Sequence, residues 1–279
     1  MILIADSGST KTDWAALCAD GAVVRVQTAG MNPFFQTAEE LEQELRTVLM
    51  PALPHETVQQ VFFYGAGCTP EKCPQVAAVL KEVLHVQGQA EVYSDMVGAA
   101  RGLCGRSEGI VCILGTGSNS CLYDGTQFLA NVSPLGFILG DEGSGAVLGK
   151  LLVGDLLKNQ LGEDLKQEFL QQYQLTPADI IDRVYRKPFP NRFLASLSPF
   201  LAQHIQHPGI RSLVKNSFLA FLRRNVMQYP GHESLPICFI GSIAHYYRDI
   251  LEECVVECGL HLGKIMKAPM EGLIEYHSL

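Results

Sequence analysis

Hydrophobic positions along the chain fall into short runs separated by polar and glycine-rich punctuation. Residues 1–5 read as a buried strand, 13–19 as a second and 22–28 as a third, with Asp20-Gly21 supplying a hairpin turn between the last two. A helix follows from Thr37, where Glu40 three residues on completes a capping box, and runs through EELEQELRTVLM. Then come a strand in VQQVFFYGAG, a helix in PEKCPQVAAVLKEVL, a strand in AEVYSD and a helix opening on MVGAARGL. The second half restarts this order. GIVCILGTG is a strand, SCLYDGTQFLAN holds a hairpin with a second Asp-Gly turn, and a long helical stretch begins near Glu142. After further helices, LPICFIGS is a strand, IAHYYRDILEECVVECG a helix, LHLGKIM a short strand, and PMEGLIEYHSL a closing helix with Pro269 at its start.

This order predicts two similar α/β halves, each opening with hairpin-linked strands and a glycine-rich turn. Their boundary is expected in the CGRSEG turn, 104–109. Ligands of such folds bind beyond the carboxyl ends of the strands, so motifs at those ends are the candidates for chemistry.

Composition narrows the classes. The chain has 279 residues, 47% hydrophobic and 18% charged, which fits a packed globule rather than a disordered segment. A formal charge of −8 gives nucleic-acid binding no support. No apolar run is long enough for a membrane span, and the N-terminus shows no export pattern, so cytoplasmic location is the default expectation. Nine cysteines in this context do not suggest a disulfide framework. Cys68 and Cys73 are five apart and Cys254 and Cys258 four apart, neither a zinc spacing. Cys112, Cys121 and Cys238 lie in apolar runs, where cysteine acts as a small hydrophobe.

Five stretches lie where chemistry is expected. The opening run sets Asp6 beside Ser7-Gly8-Ser9-Thr10-Lys11-Thr12. It reads either as a turn between strands or as a loop whose backbone N–H groups hold phosphate. In the second reading Asp6 orients Mg²⁺ through water and Lys11 reaches phosphate as a point charge. LGTGSNS, 114–120, lacks the third glycine of a dinucleotide fingerprint and no helix pattern follows it, so it mirrors the opening loop. GFILGDEGSGAVLGK, 136–150, fails as a P-loop, because Ser144 and Leu151 stand where glycine and Ser/Thr are needed. It leaves Asp141 as either a helix N-cap or a ligand residue. In SDMVGA, Asp95 ends a strand and starts a helix, as a cap or as a base. In FIGSIAHYY a strand ends at Gly241-Ser242, where small residues let a flat ring approach the backbone. His204 and His207 flank a polar loop with little claim on a metal, Trp14 is expected in the strand pair, and Tyr246 and Tyr247 divide between surface and core.

ADSGSTKTDW, ILGTGSNS, GFILGDEGSG and FIGSIA together resemble the successive signatures of the sugar-kinase/actin/Hsp70 superfamily, over nearly the whole chain. GTGSNS with GDEGS resembles most closely the N-acetylglucosamine kinase and BadF/BadG/BcrA/BcrD branch. The resemblance implies an α/β fold of two ribonuclease-H-like, actin-like ATPase domains with an ATP cleft between them. The expected domains are 1–107 with the C-terminal helix 268–279, and 108–267. It also implies ATP and Mg²⁺, an amino-sugar substrate and a homodimer, with no nucleic acid or membrane as partner. Ser7, Gly8, Ser9, Thr10 and Lys11 would surround the β- and γ-phosphates, with Asp6 near the metal. Thr116 and Gly117 would approach phosphate and sugar, and Gly241 and Ser242 the adenosine. Asp95 matches the catalytic base, Asn32 and Asp141 match positions that bond sugar hydroxyls, and Gly136 lies near the N-acetyl group. The GGWG common in this branch is replaced by SPLGF, a departure at the acetyl-recognising stretch. The implied reaction is transfer from ATP to the C6 hydroxyl of N-acetylglucosamine, N-acetylmuramic acid or glucosamine. The alternatives are a BadF/BcrA-type ATPase that activates a redox partner through an iron–sulfur cluster, for which Cys104 is the nearest ligand in sequence, and a sugar-sensing regulator.

Overall fold

A computed structural model describes residues 1–8 and 11–278. They divide into two compact units, Met1–Gly105 with the chain from Ala268 onward, and Arg106–Lys267.

In the first unit β1 (Ile2–Ser7), β2 (Lys11–Leu17), β3 (Val23–Ala29), β4 (Gln60–Gly65) and β5 (Ala90–Ser94) form one sheet in the order β3-β2-β1-β4-β5. The β1–β2–β3 ladder is antiparallel, while β4 and β5 continue the sheet in parallel with β1. Strand alternation sends Leu3, Ala5, Trp14 and Phe63 to one buried face and Ile4, Ala15 and Tyr64 to the other. Trp14 is a core residue of the strand pair, with its Nε1 donating to Thr28 Oγ1 at 3.0 Å. The first strand reaches two residues beyond the predicted end at residue 5, because the hairpin ladder continues through Asp6↔Asp13 and Ser7↔Thr12. The pairing therefore fixes the Asp6 backbone inside the sheet rather than in a loop.

The helix Met270–Ser278 closes this unit by packing on the helix Asp95–Cys104. Glycines permit the approach. A Cβ on Gly272 would stand 1.9 Å from the Gly102 carbonyl oxygen, and one on Gly98 would stand 2.8 Å from Tyr64 Cβ. Alanine inside a helix is otherwise favoured over glycine by about 0.5–1 kcal/mol, so Gly272→Ala isolates the steric effect. It is expected to destabilise by about 1–3 kcal/mol. A urea midpoint equal to or above the parent's would refute this packing.

In the second unit β6 (Gly109–Leu114), β7 (Ser118–Tyr123), β8 (Phe128–Ala130), β9 (Pro236–Ile240) and β10 (His261–Met266) form a sheet in the order β10-β9-β6-β7-β8. It repeats the first design, with an antiparallel β6–β7–β8 ladder and β9 and β10 parallel to β6. Helices between β8 and β9 supply much of its core, including Leu148, Leu152, Phe200, Phe218 and Phe221. Cys112, Cys121 and Cys238 are buried on β6, β7 and β9. Burial pushes the Cys121 thiol up to about 12 and the Cys112 thiol well upward, so both stay protonated and inert.

Two helices differ from the periodic reading. The helix beginning at Ala38 passes through a π-helical turn, Leu45–Leu49. The stretch read as one helix over 243–259 breaks at Tyr247, between Ser242–Tyr246 and Arg248–Glu257. Tyr247 is buried with its hydroxyl donating to the Ser198 carbonyl at 2.6 Å, while Tyr246 is exposed.

Candidate active site

In the first unit the motif residues gather at the carboxyl ends of β1, β4 and β5. Asp6 is half-buried, and its pKa is pushed up to about 7, first by desolvation and then by the charges of Asp13 and Asp95, with Lys11 opposing. Lys11 is exposed and pairs instead with Asp13, Nζ to Oδ2, at 2.6 Å. Ser7 faces inward. Its hydroxyl lies 2.7 Å from Thr12 Oγ1 and accepts the Met31 N–H at 3.1 Å, tying the next loop to the hairpin. Gly8 is exposed, its N–H donating to the Lys11 carbonyl at 2.9 Å. Ser9 and Thr10 lie outside the described residues.

That tie leads directly to Asn32. Its Oδ1 accepts the Phe34 N–H at 2.9 Å and its own N–H donates to Gln36 Oε1 at 2.6 Å, so the loop is a locked Asx-type turn. Gly67 presses on the same side chain, and at φ +77° a Cβ there would stand 2.1 Å from Asn32 Oδ1. Gly67→Ala is accordingly expected to displace the Asn32 amide and destabilise the fold by about 1–3 kcal/mol, the scale of a strained backbone and a lost hydrogen bond. A urea midpoint equal to the parent's would refute the role of this contact.

Asp95 is the first residue of the helix Asp95–Cys104, whose N-cap Ser94 makes no side-chain cap bond. The Asp95 Oδ1 accepts the Met96 N–H at 2.9 Å, and the carboxyl stays open to solvent. Surrounding protein raises its pKa by desolvation, against the lowering effect of the backbone N–H groups of Met96 and of Asp95 itself. The charge of Asp95 also reaches Cys68, whose thiol burial and Cys73 already push up to about 12. The turn after β4 thus runs beside Asp95 and, through Gly67, beside Asn32.

In the second unit Gly115-Thr116-Gly117 is the tight turn joining β6 to β7, with the Gly115 N–H donating to the Gly117 carbonyl at 2.9 Å. The N–H groups of Gly145 and Ala146 reach the carbonyls of Gly115 and Thr116 at 2.8 and 3.0 Å. Ser144 caps that helix, its Oγ accepting the Val147 N–H at 3.2 Å. Asp141 is therefore not the cap. It sits at φ +53°, and its carboxylate borders Gly117, where a Cβ would stand 3.1 Å from Oδ2. Desolvation raises its pKa against the Ser118 N–H and Lys150. Glu142 is engaged elsewhere, by Arg224 at 2.6 Å.

Gly241, at φ +119°, lies against the same turn. A Cβ there would stand 2.3 Å from the Leu114 carbonyl oxygen, so only glycine fits, and Ser242 follows it exposed at a helix start. Gly136 is exposed at φ +73° with open space around it, and the Asp141 N–H bonds the Pro134 carbonyl just before it at 2.9 Å. Thus Asp6, Ser7, Asn32 and Asp95 converge in one unit, and Thr116, Gly117, Asp141, Gly241 and Ser242 in the other. Thr12, Gln36, Gly67 and Ser144 hold these residues in place. Thr12 and Ser144 stand within the motifs the sequence offers, and of the other two only Gly67, in GAG, carries a visible signal.

His204 and His207 form no metal cluster among the described residues. His204 pairs with Glu168 at 3.3 Å and packs on Phe200.

No family model and no curated protein matches the chain. Solved structures do. A candidate N-acetylglucosamine kinase of Porphyromonas gingivalis is 56% identical over 99% of this chain and 98% of that one, with a TM-score of 0.94. A candidate N-acetylglucosamine kinase of Chromobacterium violaceum shares the fold at 17% identity, with a TM-score of 0.77 over 99% and 98% of the two chains. A ROK family glucokinase of Streptomyces griseus, solved with glucose and AMPPNP, shares it at 13% identity and a TM-score of 0.56 over the same fractions. The residues assembled at the strand ends and the likeness over the full chain lead to one assignment: this chain belongs to the N-acetylglucosamine kinase/BadF-type ATPase family and has its two-domain actin-like fold.

Proposed function

We propose that the protein is an ATP-dependent sugar kinase that phosphorylates the C6 hydroxyl of an amino sugar, N-acetylglucosamine or a close relative. The observation that carries this reading is the exposed Asp95 carboxyl, with its raised pKa, in the same strand-end cluster as Asn32 and Asp6. Asp95 takes the proton of the C6 hydroxyl as its oxygen forms a bond to the γ-phosphorus. The bond from that phosphorus to the β–γ bridging oxygen breaks and ADP leaves. Asn32 and Asp141 orient the sugar by hydrogen bonds to its hydroxyls, with Gly136 beside the N-acetyl group. Thr116 and Gly117 approach both phosphate and sugar. Gly8 and Lys11 contact the β- and γ-phosphates, as would Ser9 and Thr10, while Ser7, buried and bonded to Thr12 and Met31, braces the loop from beneath, and Gly241 and Ser242 contact the adenosine. Lys11 must exchange its Asp13 partner for phosphate to do so.

The Asp13 and Asp95 carboxylates both raise the Asp6 pKa, with Lys11 opposing, so a hard divalent cation held beside Asp6 through water would relieve that repulsion. Mg²⁺ held near Asp6 would supply charge neutralisation on the phosphates. Positioning and electrostatics of this kind carry most of phosphoryl transfer. A cytoplasmic homodimer belongs to the same reading and is checked by sedimentation.

The test is ADP release against N-acetylglucosamine, N-acetylmuramic acid, glucosamine, N-acetylmannosamine and no sugar. ADP is expected only with sugar, with the phosphate on O6 by NMR. Sugar-independent hydrolysis by an iron-containing preparation would replace this reading with the redox-partner ATPase, which the similar structures do not favour.

A further inference from the structure

The segment 134–141 delivers Asp141 to the β6–β7 turn, and little of its own apolar surface holds it there. Leu135, Ile138 and Leu139 are exposed, while Phe137 packs partly against the core. The backbone is under constraint. Leu135 and Asp141 sit at φ +61° and +53°, a left-handed conformation that non-glycine residues keep only where their surroundings fix it. A Cβ on Gly140 would stand 2.1 Å from the Pro134 carbonyl oxygen, so the segment folds back closely on itself. A tie to the rest of the unit comes from Lys150, half-buried, whose Nζ donates to the Phe137 carbonyl at 2.6 Å. Lys150 lies midway along the helix Gly145–Leu157, and the N–H groups of Gly145 and Ala146 dock the start of that helix on the turn that Asp141 borders. One helix therefore grips both the turn and the segment. Its lysine also acts on Asp141 through charge. Desolvation raises the Asp141 pKa and Glu142 adds to the rise, while the Ser118 N–H and Lys150 lower it. Glu142 is itself paired with Arg224 at 2.6 Å.

We propose that Lys150 is a positioning residue for the sugar: it clamps the segment 134–141 through the Phe137 carbonyl and holds the Asp141 carboxylate ready to accept from a sugar hydroxyl. The proposal deepens the kinase reading and rests on it. An ammonium bonded to a carbonyl is a charge-assisted hydrogen bond, stronger than a neutral one, which suits it to hold a segment that burial does not. Lys150 then governs sugar affinity rather than phosphoryl transfer, whose base, Asp95, belongs to the other unit.

The experiment compares the full-length parent, Lys150→Met and Lys150→Arg in steady-state kinetics with N-acetylglucosamine across pH. Methionine keeps the apolar stem and removes donor and charge. It should raise the sugar KM about tenfold, the scale of one weakened hydrogen bond to a charged group, with kcat and the ATP KM near the parent values. Arginine keeps both and should restore most of the affinity. Without the Lys150 cation the Asp141 pKa lies higher, so the rise in sugar KM on acidification should begin at a higher pH in Lys150→Met than in the parent. A loss of packing alone would raise KM equally at every pH. Lys150→Gln, which keeps a polar donor and loses the charge, should move that limb likewise and serves if the methionine variant does not fold. An unchanged sugar KM, an acid limb that stays in place, a matching loss of kcat and ATP affinity, or Lys150→Arg as weak as Lys150→Met would each overturn the proposal. A parent that phosphorylates none of the sugars would overturn the kinase reading and this inference with it, so the two failures are told apart.

Discussion

Asp95→Asn is expected to lower kcat for sugar phosphorylation by about 10²–10⁴-fold, the contribution of a positioned general base. The KM for sugar and for ATP should stay near the parent values. The substitution is isosteric and its amide oxygen can still accept the Met96 N–H that Asp95 Oδ1 accepts at 2.9 Å, so the helix start survives. What disappears is basicity. Desolvation raises the pKa of Asp95, so the parent enzyme should lose activity as pH falls through that raised value, and the mutant's residual rate should lack this limb. Steady-state kinetics across pH, with calorimetric ATP binding as a control, decides it. Full turnover in Asp95→Asn would remove this residue from the chemistry.

Asp6→Asn should divide stability from activity. The Asp6 pKa rises from 3.8 to about 7 in the fold. A group with a raised folded-state pKa contributes stability that is complete below its unfolded value and is lost as pH climbs to the folded one. At about 1.4 kcal/mol per pH unit, ionising Asp6 in the metal-free fold costs on the order of 4 kcal/mol at most. Asparagine avoids that cost. The mutant should therefore resist urea better than the parent at pH 8, the gap narrowing between pH 7 and 4 and closing below. Mg²⁺ should stabilise the parent and not the mutant, and Mg²⁺-dependent turnover should collapse in the mutant. Coincident urea curves at pH 8 would show that the Asp6 carboxylate is not under electrostatic stress.

Local chemistry made much of this architecture readable. The Asp20-Gly21 and Asp124-Gly125 turns set both hairpins, and the Thr37–Glu40 box forms with both of its hydrogen bonds present. Motifs at strand ends could be found because apolar runs stop where they begin. What escaped reading depends on distant partners. Ser144 and Asp141 are both acceptable caps, and the choice falls to Ser144 because Gly145 and Ala146 dock on the carbonyls of a turn about thirty residues earlier. Tyr247 breaks a periodic helix because its hydroxyl reaches Ser198. The inward turn of Ser7 follows from a bond to Met31.

The helix Met270–Ser278 completes a unit begun at Met1, filling the face of Ile4, Ala15 and Tyr64 with Met270 and Leu273. Vectorial synthesis therefore releases an unfinished lobe. While the ribosome translates residues 106–267, the earlier sheet waits with one apolar face only partly covered, by the helix Asp95–Cys104, and without Met270 and Leu273. A fragment ending at Gly105 keeps that gap permanently.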